Sequence, residues 1–188
     1  HRMMEKKRKK RGENSYLNDF HPNLAGEYIY GGTLYACQAD AGVLRAAQRR
    51  VWIAGGLLVL SAALGGCIPA PGMQNHFYVI LPYLGELTSS LTVGWALVKL
   101  GRDWTAVREY IYERTVPALP RRAAAAAVFA LLGVIAEAVH LALSATGGQT
   151  LFAVLYFLLK LLAALCALFI RREILQTNWA KVPKNTDC

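Results

Sequence analysis

Four ionisable side chains stand inside long runs of apolar residues: Glu86, Glu137, His140 and Lys160. A charge at the centre of a membrane-spanning helix costs about 2.5–3.5 kcal/mol, so chance placement is disfavoured. Carboxylates, imidazoles and ammonium groups at such positions bind ions and polar solutes or pass protons. This set is therefore the candidate site, and the chemistry it suggests is binding or moving a small solute, an ion or a proton.

The apolar runs that must position these groups are four stretches of membrane-spanning length. They are Val51–Pro69, Phe77–Val98, Ala123–Ala145 and Leu151–Ile170. An α-helix needs about 20 residues to cross roughly 30 Å of hydrocarbon, whereas core helices of soluble proteins are mostly shorter. The chain is 55% hydrophobic and yet has a net charge of +9, with its charges concentrated outside these stretches. We therefore expect an all-α integral membrane protein with four transmembrane helices.

The ionisable groups are expected at similar depth and on inward faces. At about 1.5 Å per residue, Glu86, Glu137 and Lys160 fall roughly 12–14 Å below the outer edge of the hydrocarbon, with His140 somewhat nearer that edge. Each helix also repeats small or polar residues at the i, i+3, i+4 spacing of one face. These faces are Ser61, Ala62, Gly65 and Gly66; Pro82, Glu86, Ser89 and Ser90; Ala130, Gly133, Glu137, His140 and Ser144; and Tyr156, Lys160, Ala163, Ala164 and Ala167. Because small residues let helices approach closely, the pattern predicts a four-helix bundle with an ionisable centre.

Glu86 and Lys160 are the expected ion pair, because their depths match and their helices run in the same direction, as neighbours. Glu137 then needs another partner: a shared Lys160, a protonated His140, Tyr83 or Tyr156, or a proton of its own. The candidate binding residues are Glu86, Glu137, His140, Lys160, Tyr83, Tyr156, Ser89 and Ser90. The alternative is that the buried charges only set helix register and packing.

The lysines and arginines predict the orientation. Twenty of the chain's 21 basic residues precede the first helix, separate the second from the third, or follow the fourth. The two other loops, Ala70–His76 and Thr146–Thr150, contain no charged residue. Since positively charged loops remain cytoplasmic, we expect two hairpins in the inner or plasma membrane with both termini inside.

These assignments divide the chain into five segments. Residues 1–50 form a basic, Tyr-rich N-terminal segment, 51–98 the first hairpin, 99–122 a cytoplasmic linker, 123–170 the second hairpin and 171–188 the tail. Lys6–Arg11 is expected to attract anionic lipid, and Tyr28–Tyr35 to form two strands about a Gly-Gly turn. Ala36–Arg50 is expected to be helical and to run into the first span. The linker 103–116 is expected to be a short amphipathic helix on the membrane surface, anchored by Trp104, Tyr110 and Tyr112, or simply a linker with one wet side.

Several function classes are not favoured. The sequence has no nucleophile elbow, phosphate-binding glycine loop or HExxH motif, so we do not expect an enzyme. Glu137 and His140 form a single carboxylate–histidine pair, whereas a di-iron bundle needs two such pairs and two further carboxylates. No metal, other cofactor or nucleic acid is expected. Four helices are few for a conduction path, so a homo-oligomer or larger membrane complex is expected. The competing hypothesis is an assembly or regulatory subunit that presents its basic segments to a partner.

Overall fold

The structure, a computed structural model, describes residues 20–22, 26, 28–74, 76–143 and 150–182. Four long helices lie within this part of the chain: α1 (Ala41–Cys67), α2 (Phe77–Leu100), α4 (Leu119–Leu143) and α5 (Thr150–Gln176). A short helix, α3 (Glu109–Thr115), precedes α4, and a 3-10 turn (Pro71–Met73) follows α1. The predicted basic run Lys6–Arg11, Ser144 and most of the loop 146–150 lie outside the described residues.

The four long helices pack as a ring. Helix α1 contacts α2 and α5, and α4 also contacts α2 and α5. It follows that α2 and α5 face each other diagonally across the centre. We call the end of the bundle where α1 begins and α2 and α5 end the sheet end, and the opposite end, which carries the 3-10 turn, the loop end.

The inward faces agree closely with those predicted. Glu86, Ser90, Glu137, His140 and Lys160 are all buried. So are the small residues that share their faces, namely Ser61, Ala62, Gly65, Ala130, Gly133, Ala163, Ala164 and Ala167. Gly66 is the exception because it is exposed, while Pro82 and Ser89 are half-buried. Large apolar side chains such as Leu81 and Leu165 point outward, at 63% and 66% exposure, as suits helices surrounded by lipid.

Three helical stretches are long and apolar enough to cross a membrane: Ala41–Cys67, Glu109–Leu143 and Thr150–Gln176. The second of these comprises α3, α4 and the short turn between them. Helix α2, with 24 residues, is comparable in length. It carries Glu86, Lys99 and several serines and threonines, and it is not among these three stretches. The prediction of a mostly helical chain with membrane-length apolar helices is thus confirmed.

A small antiparallel sheet at the sheet end corrects the all-α prediction. Strand β3 (Leu34–Cys37) lies between β4 (Val107–Arg108) and β5 (Trp179–Val182). It therefore joins the segment before α1 to the segments after α2 and α5. A separate pair is formed by β1 (Phe20–Pro22) and β2 (Tyr28–Tyr30). The predicted hairpin over Tyr28–Tyr35 is wrong: β2 and β3 exist, but they do not pair with each other, because β2 pairs with β1 and β3 pairs with β4 and β5.

The physical reason is an aromatic cluster formed by residues distant in sequence. Tyr35 of β3 stacks on Tyr112 of α3 with ring centroids 4.1 Å apart. Trp179 of β5 lies 5.5 Å from the Tyr112 ring and 5.8 Å from the Trp104 ring. Burying these rings holds β3 in the centre of its sheet more strongly than a local turn can.

The same cluster corrects the linker prediction. Trp104 is fully buried, and its indole N–H donates to the carbonyl of Gly101 at 3.2 Å. The helix covers only Glu109–Thr115 rather than 103–116. Trp104 is therefore a core residue of the sheet end and not an anchor at the membrane surface. The helical prediction for 36–50 is confirmed from Ala41 onward, where α1 begins.

Candidate functional site

The centre of the bundle contains the predicted ion pair between Glu86 and Lys160. Lys160 Nζ donates to Glu86 Oε2, and neither side chain has any solvent exposure. The helices that carry them, α2 and α5, are diagonal rather than adjacent, which corrects the predicted neighbour relation. The pair forms because both side chains are long enough to meet across the core. Gly65 leaves the space, since a Cβ there would lie 3.3 Å from Lys160 Nζ.

Two tyrosines surround the Lys160 ammonium group. The centroids of the Tyr83 and Tyr156 rings lie 4.6 Å and 4.8 Å from Nζ. At this distance an aromatic ring attracts a cation, and the attraction strengthens when water is excluded. Sequence reasoning offered these tyrosines as partners for Glu137, whereas the structure brings both to Lys160. Gly133 makes room for Tyr156, because a Cβ there would lie 3.3 Å from its hydroxyl.

Glu137 has a different kind of partner. Its Oε1 accepts a hydrogen bond of 3.3 Å from the backbone N–H of Gly72, in the 3-10 turn. Ala70, Pro71 and Gly72 are buried, so this turn folds inward and covers the carboxylate from the loop end. Glu137 makes no salt bridge within the described residues.

His140 links the buried centre to the loop end. Its Nδ1 lies 2.8 Å from the hydroxyl of Tyr78, and its ring centroid lies 4.4 Å from that of His76. Tyr78 is 47% exposed, whereas His140 is only 4% exposed. Sequence reasoning missed Tyr78 and Gly72 as site residues. His140 lies close to the end of α4, and α2 begins at the same end of the bundle. Its position in the sequence was therefore the signal that its partner would come from the start of α2.

Four buried polar atoms of this centre have no hydrogen-bond partner among the residues that the structure describes: Glu86 Oε1, Glu137 Oε2, Ser90 Oγ and Tyr156 Oη. Buried polar atoms are nearly always paired, so these atoms point to a species that completes them. Ser89 does not belong to the group, because its hydroxyl donates to the Gly85 carbonyl of its own helix at 2.7 Å.

The described residues contain no group of three His, Cys, Asp or Glu side chains placed to hold a metal ion. The Cys37 thiol, on β3 and away from the centre, is buried, and burial raises its pKa. It therefore stays protonated near neutral pH and is a poor nucleophile. Comparisons with family models, curated proteins and solved structures find no match.

Gly72 offers a test of how tightly the turn seals the centre. A Cβ at this position would overlap Glu137 Oε2 and lie 2.9 Å from Val79 Cγ2. We expect Gly72→Ala to displace the turn and to lower the thermal midpoint of unfolding in detergent. The matched control is Gly56→Ala, where a Cβ meets nothing within 4 Å; alanine in an exposed helix should be neutral or stabilising. Equal effects at the two glycines would contradict a sealing contact.

Proposed function

We propose that this chain is a four-pass integral membrane protein whose buried Glu/Lys/His centre binds a proton or a small cation and exchanges it with the loop end of the bundle. The observation that carries the proposal is the group of unpartnered buried oxygens, above all Glu86 Oε1 and Glu137 Oε2. An ionisable group kept inside a membrane despite its cost is a functional site by default.

The size of the site favours a proton or a bare cation over a larger solute. Glu86, Glu137 and Lys160 have no solvent exposure. Gly65, Gly72 and Gly133 line the centre at points where a single added Cβ would press on Lys160, Glu137 and Tyr156. A site that has no spare room for a methyl group at three points suits a species smaller than an organic solute.

The contacts of His140 favour exchange with the loop end. Glu137 and His140 are three residues apart on α4 and so share a face. His140 is hydrogen-bonded to Tyr78, which is partly exposed. An imidazole that is hydrogen-bonded to a phenol is suited to relay a proton, since both groups donate and accept hydrogen bonds.

Reconstitution into liposomes tests the function. With a potassium diffusion potential as driving force and a pH-sensitive dye inside, vesicles that contain the protein should acidify or alkalinise faster than empty vesicles. Vesicles with the same amount of protein and a dye for Na⁺ or K⁺ distinguish a proton from a metal cation. Rates equal to those of empty vesicles for all three ions would contradict the proposal.

The proposed orientation places the sheet end in the cytoplasm, because the described basic residues cluster there. In a variant without native cysteines, Gln74→Cys at the exposed loop end should react with an impermeant thiol reagent added to intact cells. Ala106→Cys, exposed at the sheet end, should react only after the cells are opened. The reverse pattern would overturn the orientation.

The second candidate is an assembly or regulatory subunit whose buried charges serve packing only. The complete burial of the Glu86–Lys160 pair favours it, because a sealed pair needs no solute. This candidate requires that no ion flux be found and that Glu137, like Glu86, matter only for stability.

A further inference from the structure

A groove at the sheet end lies between the start of α4 and the last turns of α5, away from the ionisable centre. Its volume is about 540 Å³. Its walls are formed by residues of α3, α4, α5 and β5: Tyr112, Val116, Pro117, Pro120, Arg121, Ala124, Arg171, Ile174, Leu175, Thr177, Asn178 and Trp179.

The charge of this groove has one sign. Arg121 and Arg171 line it, and none of its lining residues is acidic. Neither arginine makes a hydrogen bond or ion pair with another described residue, in contrast to their neighbours. Arg122 donates to the Thr92 carbonyl at 3.3 Å, and Arg50 pairs with Glu173 at 3.4 Å. Two free guanidinium groups facing one groove are suited to bidentate recognition of a phosphate group.

Apart from the two arginines, Thr177 and Asn178, the residues that line the groove are apolar or aromatic. This surface continues along α4 towards the bilayer, where Val128, one turn beyond Ala124, is 55% exposed. A soluble phosphate compound would gain nothing from this surface, whereas an acyl chain would lie along it. Basic pockets between membrane helices on the cytoplasmic side are where anionic headgroups bind.

We propose that this groove binds an anionic phospholipid, with its phosphate between Arg121 and Arg171 and an acyl chain along Ala124 and Val128. This inference rests on the helices crossing a bilayer but not on the chemistry of the buried centre. It also differs from a general attraction of basic residues to the membrane, because it assigns the headgroup to two particular arginines.

The test compares lipid binding by the full chain in a neutral detergent. Added phosphatidylglycerol should raise the unfolding temperature, and phosphatidylcholine should not, because a ligand of the folded state stabilises it by mass action. Replacing both arginines (Arg121→Gln with Arg171→Gln) should weaken the apparent affinity by on the order of tenfold or more. The control pair, Arg114→Gln with Arg172→Gln, removes the same charge from exposed positions outside the groove and should keep the effect.

Four outcomes would overturn the proposal. They are no stabilisation by phosphatidylglycerol, an equal effect of phosphatidylcholine, equal losses in the two double variants, and an equal effect of soluble glycerol phosphate, which would make the site one for a free phosphate compound. Glu137→Gln should leave the lipid effect unchanged, so failure here and failure of the proposed proton or cation site are separable.

Discussion

Replacing Glu86 by glutamine or Lys160 by methionine should lower the free energy of unfolding in detergent by about 3–5 kcal/mol. Each side chain is the ionic partner of the other and neither has contact with solvent. Removal of one therefore leaves a charge uncompensated at a site where solvation is poor. The double variant, Glu86→Gln with Lys160→Met, should recover most of the loss because no isolated charge remains.

The control for this cycle is Lys99→Met, which removes an exposed lysine from α2 and should change stability by about 0.5 kcal/mol or less. Urea or thermal unfolding followed by circular dichroism gives the four values of the cycle. Strictly additive losses would show that the two side chains do not interact.

Glu137→Gln should have the opposite profile: a folded protein without ion flux. The glutamine carbonyl can still accept the hydrogen bond from the Gly72 N–H, so the loss of stability should stay within about 1 kcal/mol. An amide does not take up or release a proton near neutral pH, and it carries no charge to hold a cation. Flux in liposomes should therefore fall to the level of empty vesicles.

The control is Glu113→Gln, which changes an exposed glutamate of α3 and should keep full flux. Full flux in Glu137→Gln would remove this carboxyl group from the function. If Glu137→Gln caused a large loss of stability and the unmodified protein showed no flux, the result would favour the structural subunit instead. The two buried glutamates thus differ in their expected effect on stability, which is large for Glu86→Gln and small for Glu137→Gln.

Much of the bundle follows from local rules. Residues at i, i+3 and i+4 share a helix face, and equal distance from a helix end means equal depth in the membrane. These rules suffice to bring Glu86 and Lys160 to one level and to predict the buried faces of all four helices. They say little about which helices are neighbours, because two long side chains can meet across a diagonal as well as across an adjacent interface.

The strand pairing at the sheet end could not be predicted from local sequence patterns. Strand β4 has two residues and β5 has four, and their partner β3 precedes them by more than seventy and one hundred and forty residues respectively. Such short strands carry no periodic signal, and their pairing depends on packing of Trp104, Tyr112 and Trp179. Likewise, the hydrogen bond to Glu137 comes from a backbone N–H, a group present at almost every residue, so no residue type announces it.

The most direct test of the central claim is infrared difference spectroscopy of the protein in lipid during a change of pH. If Glu137 carries the exchangeable proton, the spectrum should contain the C=O stretch of a protonated carboxylic acid. That band should shift on exchange into D₂O, disappear in Glu137→Gln, and persist in Glu113→Gln. A spectrum without such a band at any pH, or a band that Glu137→Gln leaves intact, would contradict a proton site at the centre of this bundle.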